Sequence, residues 1–290
     1  MSRQTPDLTG RIVVVTGSTR GIGRAIAESC AAAGATVVVN GRSAEAVART
    51  VSELSRTDTN VAPPSDVAGA RARVSGIAAD VSDPAGVRLV FDHALETWGR
   101  IDIWVNNAGI SQGYRPFDEL PAEDIAAIVD TNLTGTMYGC SLALRHFREH
   151  DGVLLNMLGR GFRGDPTPHT AAYASTKAAL ASLTRSLAEE NRDRPDVHVH
   201  SLVPGMVPTD FYRDVVTSPR LEATRGNVDL ALNAFGVPLE VVGARTAAFL
   251  ADDAWRGTGR NLNLLSGMRT ARGVALMAWY GMSGRMKRDH

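Results

Sequence analysis

Lysine is almost absent from this chain of 290 residues. Lysine and arginine together number 31, yet the only lysines are Lys177 and Lys287. The two side chains are not equivalent, because an ammonium can lose its proton whereas a guanidinium stays charged. Arginine carries nearly all of the positive charge, and we therefore expect a special role for Lys177, which lies four residues after Tyr173.

Net charge, cysteine and long apolar runs are scarce as well. The basic residues are balanced by 31 acidic ones, so no basic surface for nucleic acid is expected. Cys30 and Cys140 fall in separate predicted helices without metal-ligand spacing, which predicts buried free thiols, no metal site and a cytoplasmic protein. No apolar run is long enough to span a membrane, and residues 1–10 lack a signal-peptide core, so no stable membrane insertion is expected.

The stretch from Tyr173 to Lys177 places a phenol and an ammonium on one face of a predicted helix. A positive charge about 4 Å away, at an effective dielectric constant near 20, favours the phenolate by roughly 4 kcal/mol. That would draw the phenol pKa from about 10 toward 7, and desolvation opposes the shift. The same spacing also occurs on ordinary surface helices, so acid–base chemistry requires a cofactor site beside the pair.

A glycine-rich loop near the start of the chain predicts that cofactor site. An apolar, β-branched run at 11–16 reads as a buried strand, and a helical pattern at 24–34 follows the loop. Strand, glycine turn and helix form the first unit of a dinucleotide-binding fold, in which the pyrophosphate meets the helix N-terminus. The predicted cofactor residues in the loop are Gly17, Thr19, Arg20, Gly21, Ile22 and Gly23.

The residues after the second predicted strand favour NADP(H) over NAD(H). A cofactor with a free ribose 2′-hydroxyl usually meets an acidic residue there. This chain instead has Gly41 and Arg42, with Arg20 nearby in the glycine loop. Guanidinium groups without a carboxylate suit a 2′-phosphate through charge-assisted hydrogen bonds.

Short apolar segments alternate with alanine-rich helical stretches along the chain. The pattern predicts an α/β protein with a single doubly wound parallel sheet of the Rossmann type and helices on both faces. The length fits one dinucleotide-binding and catalytic domain over residues 1–290. About seven strands are expected, near 11–16, 35–40, 75–79, 101–105, 152–157, 197–203 and 260–265.

With Thr16–Gly23 and Tyr173–Lys177 both present, the chain resembles the short-chain dehydrogenase/reductase family over roughly residues 9–265. Four further motifs carry the resemblance: Asp80-Val81, Asn106-Asn107-Ala108-Gly109, Asn132 within Thr-Asn-Leu-Thr-Gly, and Pro204-Gly205 with Thr209. Each motif is common alone, but their order and intervals match the family.

The resemblance implies hydride transfer between nicotinamide C4 and a carbon that bears oxygen. It makes Tyr173, Lys177 and Asn132 the expected catalytic residues. Tyr173 would exchange the proton, Lys177 would lower the phenol pKa and hold the nicotinamide ribose, and Asn132 would position a relay water. The further cofactor contacts that it implies are Asp80, Val81, Asn107, Ala108, Gly109, Tyr173, Lys177, Pro204, Gly205, Val207 and Thr209.

One departure from the family concerns a serine that usually lies about thirteen residues before the tyrosine and binds the reacting oxygen. Counting back gives Arg160, and aligning the fifth strand gives Gly159. Arg160 or a backbone N–H could replace this donor, or the reaction could dispense with it. A hydroxyl could also come from elsewhere, and the candidates are Ser111, Tyr114 and Thr170. His169, close before Tyr173, is a further candidate for substrate contact.

The same region resembles the chlorophyll(ide) b reductases and their bacterial relatives. The likeness rests on Asn-Met-x-Gly-x-Gly from Asn156, on Pro166-Thr-Pro168 and on Pro204-Gly-Met-Val. It implies a pocket for a bulky, mostly apolar substrate.

Three segments depart from a minimal domain. Residues 56–74 form a polar, proline-containing insertion that is either a surface loop or a lid. Residues 206–240 are expected to close over the nicotinamide as a substrate lid, or else to form a plain helical pair. The C-terminal extension, 266–290, could pack on a neighbouring subunit, line a pocket or touch a membrane surface.

Three functions fit the sequence. The leading one is an NADP(H)-dependent reductase or alcohol dehydrogenase acting on a bulky apolar substrate. A tailoring enzyme that cyclises, epimerises or dehydrates without net redox is the second, and a non-catalytic NADP(H)-sensing protein is the third. The expected partners are a small-molecule substrate and copies of the same chain, in a homodimer or homotetramer.

Overall fold

A computed structural model describes residues 5–57, 73–210, 216–265 and 267–286. Seven parallel strands form one sheet in the order β3-β2-β1-β4-β5-β6-β7. Their bounds are β1 Ile12–Val15, β2 Thr36–Gly41, β3 Val74–Ala78, β4 Ile103–Asn106, β5 Gly152–Met157, β6 Val197–Val203 and β7 Asn261–Asn263. The predicted fold class, a single parallel sheet of the Rossmann type, is confirmed.

Helices cover both faces of this sheet. They are α1 Gly21–Ala32, α2 Ala44–Thr57, α3 Pro84–Trp98, α4 Ala122–Val129, α5 Gly135–His146, α6 Ala171–Glu190, α7 Gly226–Phe235, α8 Leu239–Ala251 and α9 Met268–Met282. A five-residue π-helical turn, Asp130–Thr134, joins α4 directly to α5.

The core lies on both sides of the central strands because successive strand residues point to opposite faces. Val13 and Val15 are buried in one cluster with Ile26 of α1. Val14, between them, is buried in the other cluster with Phe91 of α3. Strand β1 is apolar at every position, as is typical of a strand in a sheet covered on both faces.

The strand order reverses between β1 and β4, which lie side by side in the sheet. In doubly wound sheets such a reversal opens a crevice at the carboxyl ends of the strands, where ligands bind. The loops after β1 and β4 carry the glycine motif and Asn107–Gly109, so the topology places both at this crevice.

Strand bounds agree with the sequence-based expectations to within two residues at most ends. Strand β4 starts at Ile103 rather than 101, after Asp102, whose side chain accepts the Ile12 N–H at 2.7 Å. Strand β7 is three residues long and lies at the edge of the sheet, where it pairs with β6 alone.

The three unusual segments are described in part. Of the 56–74 insertion, positions 58–72 lie outside the described residues. The 206–240 region contains a 3₁₀ helix, Pro219–Thr224, followed by α7. Most of the 266–290 extension is helix α9, which packs on α7 of the same chain, with Gly273 close to the Phe235 ring. The lid role of 206–240 stays a prediction.

Candidate active site

A cleft of about 570 Å³ runs along the carboxyl ends of the strands. Every cofactor residue predicted from the sequence lines it, from Gly17 in the glycine loop to Thr209 after β6. The Tyr173–Lys177 pair lines the same cleft. The structure thus brings together two motifs that are separated by about 150 residues of sequence.

Asn40, at the end of β2, holds the glycine loop in place. Its side-chain oxygen accepts the Gly17 N–H at 3.2 Å, and its backbone oxygen accepts the Ser18 N–H at 2.8 Å. Its side-chain amide donates to the Ala79 carbonyl at 3.1 Å, which ties β2 to the end of β3. Sequence reasoning missed Asn40, because nothing local distinguishes it from a polar residue that simply ends a strand.

Gly41 and Thr19 pack closely together at the position where an acidic residue would hydrogen-bond a ribose 2′-hydroxyl. A Cβ atom built on Gly41 would lie 2.6 Å from Cγ2 of Thr19. Thr19 is β-branched and stiff at χ1, so a larger residue at 41 would force it to move. The close approach disfavours a carboxylate here, and Arg42 lines the cleft immediately beyond.

Asp80 lines the same cleft as the glycine loop and stays ionised. The pKa of its carboxyl is lowered, chiefly because it accepts the Ser82 N–H at 3.0 Å. The positive charge of Arg42 also lowers it. The cleft lining therefore includes an ionised carboxylate beside a guanidinium.

Lys177 is buried in α6, with 3% of its surface exposed. Its Nζ donates to the Met157 carbonyl at 3.0 Å and lies 5.6 Å from the centre of the Tyr173 ring. Burial lowers the pKa of the ammonium from 10.5 to about 8. The lysine therefore remains mostly protonated at neutral pH and places a positive charge beside the tyrosine.

Gly159 faces the Tyr173 hydroxyl. A Cβ atom built on Gly159 would lie only 2.2 Å from the phenol oxygen and 3.2 Å from the adjoining ring carbon. The hydroxyl therefore fills the space that a side chain at 159 would occupy. Neither a serine nor an alanine fits at this position while the tyrosine ring stays where it is.

Asn132 is fully buried in the π-helical turn rather than in the cleft lining. Its Oδ1 accepts the Ile110 N–H at 2.7 Å, and its Nδ2 donates to the Ile110 carbonyl at 3.0 Å. The amide thus clamps the loop after β4 against the helix. Single π turns inside α-helices are frequent at functional sites, and the relay-water role stays a prediction.

The candidate substrate residues divide into two groups. Ser111 and Arg160 line the cleft, and the Ser111 hydroxyl accepts the Gly113 N–H at 3.0 Å. Tyr114 and His169 lie outside the lining, with their rings packed edge to face at 5.0 Å. Thr170 also lies outside it and donates its hydroxyl to the Thr167 carbonyl at 3.3 Å.

The described part of the chain contains neither a candidate metal site nor a helix suited to crossing a membrane. Within those ranges, no group of three or more histidine, cysteine or acidic side chains could hold a metal ion. Across the same ranges, no helix combines the length and apolar character needed to cross a bilayer.

Fold and site together define a dinucleotide-binding α/β protein with a buried lysine beside a tyrosine. The chain belongs to the short-chain dehydrogenase family, whose family model, described as short chain dehydrogenase, matches residues 11–220.

Two curated relatives illustrate the range of similar proteins. Chlorophyll(ide) b reductase NOL of Oryza sativa subsp. japonica is 36% identical over 211 residues, which cover 71% of this chain and 58% of the relative. 3beta-hydroxysteroid dehydrogenase 1 of Eggerthella lenta is 38% identical over 265 residues, 90% of this chain and 95% of the relative. The chain spans only 41% to 62% of the length of the chlorophyll(ide) b reductases it matches.

Solved structures of similar shape contain bound nicotinamide cofactors. A 3-ketoacyl-(acyl-carrier-protein) reductase from Brucella melitensis complexed with NADH has a TM-score of 0.74 at 27% identity, covering 89% of this chain and 98% of its own. A short chain dehydrogenase from Burkholderia cenocepacia J2315 in complex with NADP has a TM-score of 0.73 at 28% identity, with 90% and 98% covered. A nicotinamide dinucleotide is therefore the cofactor class of the family.

Proposed function

We propose that this protein is an NADP(H)-dependent oxidoreductase that transfers a hydride between nicotinamide and a carbonyl or alcohol of a bulky apolar substrate. The observation that carries the proposal is one cleft lined both by the glycine loop and by Tyr173 with buried Lys177. That arrangement joins a dinucleotide site to a phenol held beside a positive charge.

The chain's own residues supply the acid–base part of the reaction. When bound, the nicotinamide cofactor supplies or accepts the hydride. In reduction, the Tyr173 hydroxyl donates its proton to the oxygen of the carbonyl, and the Lys177 charge stabilises the phenolate that remains. An ammonium has three donors, and one of them goes to Met157, so Lys177 can also hold hydroxyl groups in the cleft.

Two features support NADP(H) rather than NAD(H). Arg20 and Arg42 line the end of the cleft that holds the glycine loop, and guanidinium groups bind phosphate by charge-assisted hydrogen bonds. The Thr19 side chain fills the space above Gly41, which disfavours a carboxylate that would read a free ribose hydroxyl.

The proposal of a bulky apolar substrate rests on the lining of the cleft that Tyr173 shares. Several of its side chains are apolar: Ile110, Ala127, Ile128, Leu158 and Val216. Two relatives are named for chlorophyll(ide) and for a hydroxysteroid, both large and mostly apolar ring systems. The cytoplasmic location and the homo-oligomer expected from the sequence remain proposals.

Cofactor turnover tests the function and separates its rivals. We expect the protein to oxidise NADPH stoichiometrically with a ring-bearing carbonyl substrate, and Tyr173→Phe to lower that rate at least about 100-fold while NADPH still binds. Product formed with the cofactor unconsumed would support a non-redox tailoring enzyme instead. NADPH binding without turnover of any substrate, with Tyr173→Phe unchanged, would support a sensing protein.

Arg42→Ala tests the cofactor choice. Loss of a charge-assisted hydrogen bond to the 2′-phosphate should weaken NADPH binding about 10- to 100-fold and leave NADH binding nearly unchanged. Titration of cofactor fluorescence measures both affinities. Arg185→Ala, which removes an exposed arginine away from the cleft, is the matched control. Equal losses for both cofactors would contradict the proposed selectivity.

A further inference from the structure

Gln112 is a buried amide in the loop after β4 that sequence reasoning did not identify. Its side chain is 1% exposed and makes three hydrogen bonds. The Oε1 atom accepts the backbone N–H of Tyr173 at 3.1 Å. The Nε2 atom donates to the carbonyls of His169 at 3.0 Å and Arg115 at 3.3 Å.

The bond to Tyr173 falls in the first turn of α6, where helices need outside partners. The first four N–H groups of a helix have no acceptor within it, and Tyr173 is the third residue of α6. The residue before the helix, Thr170, does not cap it with its side chain. Gln112, distant by 61 residues in the sequence, therefore supplies a cap that the Thr170 side chain does not provide.

The bond to His169 steadies a strained residue just before the helix. With φ of 63°, His169 is the one non-glycine residue with positive φ among those that the structure describes. Such a conformation is unfavourable for an L-residue and persists where the surroundings hold it. The His169 carbonyl accepts both the Gln112 amide and the Arg115 N–H, the latter at 3.2 Å.

Tyr173, four residues after His169, has little room to move. Its hydroxyl oxygen lies 2.2 Å from where a Cβ of Gly159 would be, so the hydroxyl packs closely against the glycine backbone. Reactions between positioned groups are sensitive to such placement, and a shift of about 1 Å can lower a rate about 100-fold. A displaced first turn of α6 would therefore reach the chemistry.

We infer that Gln112 is a positioning residue of this site, whose amide fixes the first turn of α6 and thereby seats the Tyr173 hydroxyl against Gly159 and beside Lys177. The inference rests on the proposed function for its kinetic consequences. Its structural content, the placement of the phenol relative to the ammonium, is independent of any substrate.

Two amide substitutions at opposite ends of α6 test the inference. Gln112→Met keeps the side-chain volume and removes all three hydrogen bonds. Asn191→Leu is the matched control, since the Asn191 amide donates to the Leu187 carbonyl at 2.8 Å at the far end of the same helix. Both variants should lower the melting temperature, so stability alone does not separate them.

The kinetics should separate the two variants. We expect Gln112→Met to lower kcat about 10- to 100-fold with the KM for NADPH within about twofold of wild type. Its pH–rate profile should show the tyrosine titrating at higher pH, because the hydroxyl lies farther from the ammonium. Asn191→Leu should match the wild type in kcat and in pH profile.

A measurement without substrate keeps the inference separate from the proposed function. Ultraviolet difference titration of each protein against its own Tyr173→Phe counterpart isolates the ionisation of this one phenol. A higher pKa of Tyr173 in Gln112→Met than in Asn191→Leu supports the positioning role, even if the wild type turns over no carbonyl or alcohol.

Equal kcat, pH profiles and phenol titrations in the two variants would overturn the inference, whatever the wild type catalyses. Should Gln112→Met not fold, Gln112→Asn replaces it in the same comparison. Its amide is neutral and one methylene shorter, so it cannot reach the Tyr173 N–H and the His169 and Arg115 carbonyls together, and the same changes are expected. No difference between Gln112→Asn and Asn191→Leu would then overturn the inference.

Discussion

The Tyr173 hydroxyl leaves no room for a side chain larger than hydrogen at position 159. This contact bears on the absence of the serine that the family usually has there. Because a Cβ at 159 would lie 2.2 Å from the phenol oxygen, the tyrosine hydroxyl already occupies that space. Restoring a serine would displace the ring rather than add a donor. Under the proposed function, we therefore expect the phenol to hold the reacting oxygen together with another group of the cleft lining, for which Arg160 and Ser111 are the candidates.

Gly159→Ser tests this directly. We expect kcat to fall about 10-fold or more, since the tyrosine must move away from its position to admit the hydroxymethyl group. Steady-state kinetics with NADPH measure the effect. Gly281→Ser is the control, because a Cβ there meets open space. A rise in kcat for Gly159→Ser would show that the serine can work beside this tyrosine.

The buried ammonium of Lys177 makes stability depend on pH in a predictable direction. Its pKa is about 8 in the folded protein against 10.5 when exposed. Between these values the unfolded chain binds more protons, so the folded state gains stability as pH rises. Below pH 8 the cost of burying the charge is fully present, and it corresponds to about 3 kcal/mol.

Lys177→Met should remove that pH dependence. We expect the free energy of unfolding of the wild type to gain about 3 kcal/mol relative to Lys177→Met as pH rises from about 8 to 10.5. Urea unfolding at the two ends of this range measures the difference, with both proteins carrying Tyr173→Phe so that the phenol beside Lys177 does not titrate. A constant difference across the range would contradict a buried, depressed lysine.

Residues with a local signature could be predicted from the sequence, and those without one could not. The glycine loop and the Tyr–Lys spacing identified the cleft because each is a pattern within a few positions. Gln112 and Asn40 act through partners 61 and 22 positions away, so only the folded chain shows their contacts. Thr19 and Gly41 likewise meet only through folding.

At the level of elements, the joint between α4 and α5 positions a loop of the cleft. The π turn at Asp130–Thr134 interrupts an otherwise continuous helix and presents Asn132 to the loop after β4. That loop includes Asn107–Gly109, which lines the cleft. The turn could not be read from the sequence, because its composition is compatible with an ordinary helix.

Asn132→Asp probes this joint with a minimal change. The carboxylate can still accept the Ile110 N–H, but its second oxygen replaces the amide that donates to the Ile110 carbonyl. We expect a loss of about 2 kcal/mol in the free energy of unfolding and weaker NADPH binding. Denaturant unfolding and cofactor titration measure the two effects.

Asn191→Asp is the control for that variant, because it makes the same chemical change at the far end of α6. It should lose stability and keep NADPH affinity. Equal cofactor affinity in both variants would contradict a link between the joint and the cleft.

Strands were the most predictable elements, because their apolar runs are short and bounded by glycine or polar residues. The C-terminal helix was less predictable. The sequence left its partner open, and the structure packs α9 on α7 of the same chain. Of its described residues, none lines the cleft. The partner could not be inferred, since an apolar stripe does not specify which surface covers it.

On the scale of the whole molecule, the parallel sheet explains how one site arises from distant segments. All strands end at the same edge, so the loops after β1, β4, β5 and β6 meet there. The cofactor loop and the Tyr–Lys helix consequently face one cleft. This convergence follows from topology, which the alternation of strands and helices predicted.

A crystal structure with NADPH bound tests the central claim most directly. The account predicts the 2′-phosphate against Arg42 and Arg20, and the nicotinamide beside Tyr173 with its ribose hydroxyls held by Lys177. Electron density for the dinucleotide outside the cleft, or with the nicotinamide turned away from the Tyr173 hydroxyl, would contradict it.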